Sequence, residues 1–263
     1  MIEASSPSSE SVPLTQLPLT QHNDEISLNL RSWEKKPLLR KIYRGFHESI
    51  ARHVRTDIGG VTAELGSGIG NIKEVIPQCL RTDLFPNPWL DQTEDAYRLS
   101  FKSGSVSNLI LFDVFHHLRY PGTAFEEFHR VLKPGGRVII FDPCLSALGL
   151  LTYGLLHHEP IAIRDEIKWK APDGWSPDGD SYYAAQGNAY RIFFQRQHKD
   201  LLKGWNVITK ERRSCISYVA SGGYSKRQLY PTQALPLMRG VDAICDIAPL
   251  LFATRLLVVL DRE

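Results

Sequence analysis

Leu38, Leu39, Ile42, Tyr43, Phe46, Ile50 and His53 recur every three or four positions among Arg, Lys and Glu. That spacing places them on one face and predicts an amphipathic helix over residues 37–54, opened by Pro37. After Gly59-Gly60 the period changes, and short β-prone runs alternate with helical ones. Residues 61–65 (VTAEL) read as a strand, 66–70 (GSGIG) as a tight glycine turn and 71–76 (NIKEVI) as helical. Strands follow over 80–83 and 108–113, and a helix over 124–132 carries Phe125, Phe128, Val131 and Leu132 on one side. A turn at 133–136 (KPGG) leads into 137–141 (RVIIF), a continuous run of the kind buried on both faces of a parallel sheet. This succession implies right-handed βαβ units in an open α/β sheet.

Beyond Pro143 the periodicity weakens. Residues 146–156 form an apolar stretch of 11, roughly half of what a membrane span needs, and read as a core-facing helix or pocket wall. A loop is expected over 165–187, a helix over 190–202, a strand over 205–217, an irregular insertion over 218–252 and a last strand over 253–261. Residues 1–24 are dominated by Ser and Pro with isolated apolar side chains, so a disordered tail is expected there and one domain over 25–263.

Composition narrows the function classes. The net charge of +2 advertises no basic stripe, which argues against a nucleic-acid partner; the aromatic series Trp169, Trp175, Tyr182, Tyr183 and Tyr190 then reads as loop packing. Cys79, Cys144, Cys215 and Cys245 are dozens of residues apart, so neither a zinc site nor a disulfide framework is expected. The first 21 residues carry no Lys or Arg and no long apolar run, so no secretory signal and a cytoplasmic location are expected.

The chemistry concentrates in Glu64-Leu65-Gly66-Ser67-Gly68-Ile69-Gly70. A glycine turn at the end of the first strand lets a ligand approach the backbone closely. The spacing is G-x-G-x-G with an acid two positions before the first glycine, not the G-x-G-x-x-G of dinucleotide sites. It resembles motif I of the class I S-adenosylmethionine-dependent methyltransferases, of the methyltransferase type 11 kind. Later elements match in order: Asp83 at the second strand end, Asp95-Ala96 before Leu99-Ser100-Phe101, residues 112–118 (FDVFHHL), and residues 125–141 (FEEFHRVLKPGGRVIIF). The resemblance covers residues 61–143, about a third of the chain. It implies a Rossmann-like α/β fold: a mostly parallel seven-stranded sheet with an antiparallel last strand and helices on both faces. It also implies S-adenosylmethionine as cofactor, leaving S-adenosylhomocysteine as product. The implied cofactor-binding residues are Glu64, Gly66, Ser67, Gly68, Gly70, Asp83, Leu84, Asp95, Ala96, Phe112, Asp113 and His117, with Asp83 on the ribose and Asp95 on the adenine.

One departure stands out. Asp83 and Asp95 are only a dozen residues apart with Pro86 and Pro88 between them, so the helix expected there is much reduced and the third strand barely present. For catalysis, a sulfonium methyl donor needs alignment and exclusion of water, and a general base only where the acceptor loses a proton. His116 and His157 are the candidates. Adjacent histidines are expected to point apart and no H-x-x-x-H spacing completes a site, so the pairs at 116–117 and 157–158 with Glu159 imply no metal. Residues 144–263 are expected to supply the acceptor pocket or a lid, and their Leu, Tyr, Phe and Pro content favours a small, partly apolar acceptor. Two other readings stay open: a non-catalytic cofactor-binding or scaffold protein, and a nicotinamide-dependent oxidoreductase, which Asp83 fits poorly because it falls short of the roughly 20-residue spacing.

Overall fold

The computed structural model describes residues 16–155, 159–176, 181–195 and 202–263. In chain order these form β1 (Gln16–Pro18), α1 (Leu19–Lys35), α2 (Pro37–Ala51), β2 (Val61–Leu65), β3 (Leu80–Asp83), β4 (Gln92–Thr93), β5 (Val106–Phe112), α3 (Pro121–Val131) and β6 (Leu132–Pro143). Then come α4 (Ala147–Leu155), β7 (Ser181–Tyr183), α5 (Asn188–Phe193), β8 (Trp205–Arg213), α6 (Ile216–Ala220), α7 (Leu235–Cys245), α8 (Pro249–Phe252) and β9 (Arg255–Arg262). Seven strands make one sheet in the order β4-β3-β2-β5-β6-β9-β8. The pairs from β4 to β6 are parallel, and β9, last in the chain, runs antiparallel between β6 and β8. This is the sheet that the resemblance implies.

The strand sequences explain the layering. In a strand, neighbouring side chains point to opposite faces. Leu109 and Leu111 of β5, Val138 and Ile140 of β6, and Val258 and Leu260 of β9 pack against Phe125, Phe128 and Val131 of α3. The alternate residues Ile110, Phe112, Ile139, Phe141, Leu257 and Val259 meet Leu39, Tyr43 and Ile50 of α2 on the other face. Every residue of β5 is buried, so residues 109–112 are apolar on both faces, and the buried Ser107 and Asn108 are satisfied by hydrogen bonds to Val61, Arg55 and Thr62.

Four expectations shift. Of the tail expected over 1–24, residues 1–15 lie outside the described residues, and 16–24 are β1 and the start of α1. The strand is paired antiparallel with β7 through Gln16–Tyr183 and Pro18–Ser181. Backbone pairing with a distant strand orders this polar segment, and local composition does not reveal it. The loop expected over 165–187 therefore contains a strand. Of the helix expected over 190–202, the described part is α5, while residues 196–201 lie outside the described residues, and the stretch 218–252 is largely helical. Its prolines stand where helices start: Pro236 and Pro249 occupy the first turns of α7 and α8, where a missing N–H costs nothing. Between Asp83 and β4 there is no helix, and β4 is only two residues long.

Phe128 is fully buried between α3 and the sheet, 5.8 Å from the Phe125 ring. Phe128→Ala is expected to cost about 3–5 kcal/mol of stability. Urea unfolding checks this, and the strand ends that carry the site are expected to keep their ligand affinity in the folded fraction.

Candidate functional site

The carboxyl ends of β2, β3, β5 and β6 meet at one edge of the sheet, where open α/β sheets bind ligands. The glycine turn follows β2, and each glycine has its own reason. Gly66, Gly68 and Gly70 all have positive φ, at 70°, 52° and 71°. A Cβ on Gly66 would lie 2.3 Å from Val114 Cγ2, and one on Gly70 would lie 3.0 Å from the Trp89 carbonyl oxygen, whereas one on Gly68 meets nothing within 4 Å. Gly66 and Gly70 are therefore required by packing, and Gly68 leaves the backbone open to a ligand. The helix expected over 71–76 is a single 3-10 turn, Asn71–Glu74, because Pro77 follows too soon for a longer one. The turn itself, rather than a helix dipole, is the feature offered to a ligand.

Side chains brace the turn. Ser67 Oγ donates to Glu64 Oε2 at 2.6 Å, the Gly68 N–H to Asp83 Oδ2 at 2.9 Å, and the Leu84 N–H to Asp83 Oδ1 at 2.7 Å. Glu64 is almost fully buried, and that burial pushes its carboxyl up to about 8 against the opposing Ser67 hydrogen bond. The short link after Asp83 is stapled rather than loose. Asn87 Nδ2 donates to the Gly68 carbonyl at 3.1 Å, and Asp91 pairs with Arg81 at 3.0 Å and Lys73 at 2.7 Å.

One cavity of about 830 Å³ spans this edge. It is lined at one end by Gly66, Gly68, Asp83, Leu84, Asp95 and Ala96. Asp95 lies just past β4, accepts the Tyr97 N–H at 2.9 Å, and is raised by burial. At the other end the cavity reaches His116, His117 and Glu159. Residues of α1, among them Ile26, Asn29 and Ser32, close over it. Its wall is aromatic: Tyr43 stacks on Phe112 with centroids 5.3 Å apart and meets Tyr224 edge-on at 5.1 Å.

Asp113 is the only non-glycine with positive φ among the described residues, at 56°. Its N–H bonds the Phe141 carbonyl at 2.9 Å and its carboxylate pairs with the buried Arg255, whose guanidinium lies 4.7 Å from the Tyr218 ring centre. The carboxylate is thus committed to the protein, although the residue still lines the cavity.

The histidine pair behaves differently from the expectation. His116 and His117 follow β5 on a 3-10 turn, and their ring centroids are 4.1 Å apart, so these neighbours do not point apart. His116 Nδ1 lies 2.9 Å from Asp142 Oδ1 and its Nε2 3.3 Å from Glu159 Oε2. Burial pushes the His116 imidazole down, but the Asp142 and Glu159 carboxylates outweigh it and hold the group at about 10. His117 Nδ1 faces the Tyr183 carbonyl oxygen at 2.8 Å. His157 lies outside the described residues. Sequence reasoning missed Asn71, Asp142, Gln186 and Arg255. Only Arg255 carried a signal, as a lone cation opening an apolar strand.

Residues 64–140 match the family described as a methyltransferase domain. That segment, under a third of the chain, is a methyltransferase domain. Solved structures share the fold of the chain at low identity. A Haloferax volcanii protein described as the putative methyltransferase, in complex with the Trm112 methyltransferase activator, is 14% identical with a TM-score of 0.53, over 93% of this chain and 96% of that one. A SAM-dependent methyltransferase from Archaeoglobus fulgidus is 10% identical with a TM-score of 0.51, over 85% and 94%. Geranyl diphosphate C-methyltransferase from Streptomyces coelicolor A3(2), in complex with Mg2+, geranyl diphosphate and S-adenosyl-L-homocysteine, is 11% identical with a TM-score of 0.52, over 85% and 80%. No curated protein sequence matches the chain. Among the described residues, no helix is long and apolar enough to cross a membrane.

The residues present fit S-adenosylmethionine, the cofactor of this domain. Gly68 opens onto the cavity with room for a ligand against its backbone, Asp83 holds the turn beside it, and Asn71 lines the same cavity.

Glu64 sets a pH dependence of stability. Its folded-state value of about 8 lies above the roughly 4.3 of an unfolded chain, so between those values the folded state holds the extra proton. The resulting stability is fully present below about pH 4.3 and is lost as pH rises through about 8. Glu64→Gln keeps an acceptor for Ser67 and is expected to flatten this slope, read as urea midpoints at pH 6 and pH 8.5.

Proposed function

We propose that this methyltransferase moves the methyl group of S-adenosylmethionine to a small, partly apolar acceptor by direct in-line displacement. The observation that carries the reading is the single cavity, which joins the glycine turn to the His116, His117 and Glu159 cluster without a partition. Donor and acceptor share one half-open cleft, where alignment and exclusion of water do most of the work.

In this reading Asp83 accepts from the ribose hydroxyls with lone pairs left over from its two backbone bonds. Leu84, Asp95 and Ala96 border the adenine. Gly66, Ser67, Gly68 and Gly70 give the backbone approach, with Glu64 ordering the turn through Ser67. Asn71 and the Tyr43–Phe112 stack face the methionine end. Asp113 acts through Arg255, as a brace for the wall rather than a contact by charge. When bound, the cofactor supplies an electrophilic methyl group, and the protein has only to present the acceptor's lone pair to it.

The acceptor lies by the histidine cluster. Both ring nitrogens of His116 face carboxylates, so His116 orients the cluster instead of taking a proton from the acceptor. A partly apolar acceptor is supported by the aromatic wall and by α4, which brings Tyr153 to the cavity and leaves Leu151 and Leu155 exposed nearby on the same helix. A cytoplasmic location agrees with this chemistry and with the reduced cysteines Cys79, Cys144 and Cys215, all buried.

Isothermal titration with S-adenosylmethionine and S-adenosylhomocysteine tests the reading. Both are expected to bind, and Gly68→Arg, whose side chain enters the cavity from a position with no other neighbour, is expected to fold and lose at least about tenfold in affinity, roughly 1.4 kcal/mol. Failure of the folded wild-type protein to bind either ligand overturns it. A methyl-transfer screen over alcohols, phenols, sugars and polyprenyl compounds then identifies the acceptor, with turnover expected to favour those carrying an apolar group.

A further inference from the structure

The cluster at the acceptor end has an order that proton transfer does not require. Each histidine is held from behind through Nδ1: His116 by the Asp142 carboxylate at 2.9 Å and His117 by the Tyr183 carbonyl at 2.8 Å. A carbonyl oxygen only accepts, so His117 carries its proton on Nδ1, and the Asp142 carboxylate fixes His116 in the same sense. Both Nε2 atoms are thereby turned toward one side chain. His116 Nε2 lies 3.3 Å from Glu159 Oε2, and His117 Nε2 lies 3.7 Å from Glu159 Oε1. Glu159 is itself held from the far side by Gln186 Nε2, which donates to Oε2. One donor atom from each of the three side chains lies within 4.8 Å of the others.

His116 sits between two buried carboxylates, Asp142 and Glu159, and Asp142 Oδ2 has no hydrogen-bond partner, so a further positive charge is favoured where His116, His117 and Glu159 converge. An ion there takes the place of the proton that His116 Nε2 otherwise shares with Glu159. The nearby cation Arg255 is already paired with Asp113. We propose that His116, His117 and Glu159 bind one divalent first-row transition-metal ion, with its remaining coordination positions open to the cavity. A metal–ligand bond of about 2.1 Å places neighbouring ligand atoms roughly 3.0–3.4 Å apart; the His116–Glu159 separation of 3.3 Å matches this, and His117, at 3.7 Å from Glu159, closes in by a few tenths of an ångström on binding. The Nδ1 contacts are the outer-shell bonds that orient metal-bound histidines. Two imidazoles with one carboxylate select Mn, Fe, Co or Zn over Mg or Ca, which prefer all-oxygen sites. Resting on the proposed methyl transfer, the ion's task is to hold an oxygen of the acceptor beside the donor methyl group.

Chelator-treated, dialysed protein titrated with Mn2+, Co2+ and Zn2+ tests the site, together with the visible absorption of the Co2+ form. One ion per chain is expected, with a Co2+ spectrum showing nitrogen ligation. Asp142→Asn, which removes only the outer-shell carboxylate charge, is expected to weaken binding about ten- to a hundredfold, and His117→Ala and Glu159→Gln at least as much. Thermal melting establishes that each variant is folded, and the wild-type Co2+ spectrum stands independently of them. A folded wild-type protein that takes up no stoichiometric ion, or binding untouched by His117→Ala and Glu159→Gln, overturns the site. S-adenosylmethionine binding by the same stripped sample separates the two readings. Retained where no ion binds, it overturns the ion site and leaves methyl transfer standing; absent along with the ion, it overturns both.

Discussion

Burying a carboxylate costs several kcal/mol unless its charge is answered, and several lie at or beside the carboxyl edge of this sheet, among them the buried Glu64, Asp83, Asp142 and Glu159 and the half-buried Asp113. The edge is organised by how each is answered. Glu64 takes a Ser67 hydroxyl and holds a proton over much of the neutral range. Asp83 takes two backbone N–H groups, one of them from the glycine turn, so the same charge that awaits a ligand also fixes the loop that receives it. Asp113 takes Arg255, which ties the end of β5 to the start of β9. That pair gives a reason for β9 to sit between β6 and β8: the last strand returns to the site carrying the cation the fourth one needs. Asp142 and Glu159 take imidazoles, and there the compensation is least complete.

The strained backbone at Asp113 belongs to the same arrangement. A non-glycine residue at positive φ costs of order 1 kcal/mol or more and persists only where its surroundings over-determine it. Here the hydrogen bond to Phe141 and the ion pair to Arg255 do so. The turn carries the chain from the central strand straight to His116 and His117, so the histidine pair sits one turn from the strand end and lines the same cavity as the glycine turn.

What could be read from the residues follows from how local each signal is. The centres of β5 and β6 announce themselves because a strand segment buried on both faces is apolar, as in residues 109–112 (LILF) and 138–141 (VIIF), while β2 and β3 are read from their place on either side of the glycine turn. The glycine turn is legible because its spacing is a backbone requirement. The N-terminal strand β1 is not, since it is held by hydrogen bonds to β7, more than 160 residues away, and nothing in its own composition records that pairing. The histidine pair was misread for a related reason. Neighbouring side chains diverge on a strand or helix, but the 3-10 turn and two separate Nδ1 acceptors, Asp142 and Tyr183, aim both rings at Glu159. Those acceptors come from β6 and β7, and no local pattern brings them together.

The shortened link after Asp83 shows how a departure from a family's pattern can preserve a site. Where a crossover helix would position the third strand, Asn87 and Asp91 hold the turn directly to Gly68, Arg81 and Lys73. The Trp89 carbonyl presses against Gly70 closely enough to exclude a Cβ there. The link therefore packs on the glycine turn itself, and Asp95 still reaches the cavity that Asp83 lines. The glycine-turn end of the cavity is thus closed by a short braced link, while residues of α1 and segments beyond β6 line the rest, so the two ends are built from separate parts of the chain and one can vary without the other.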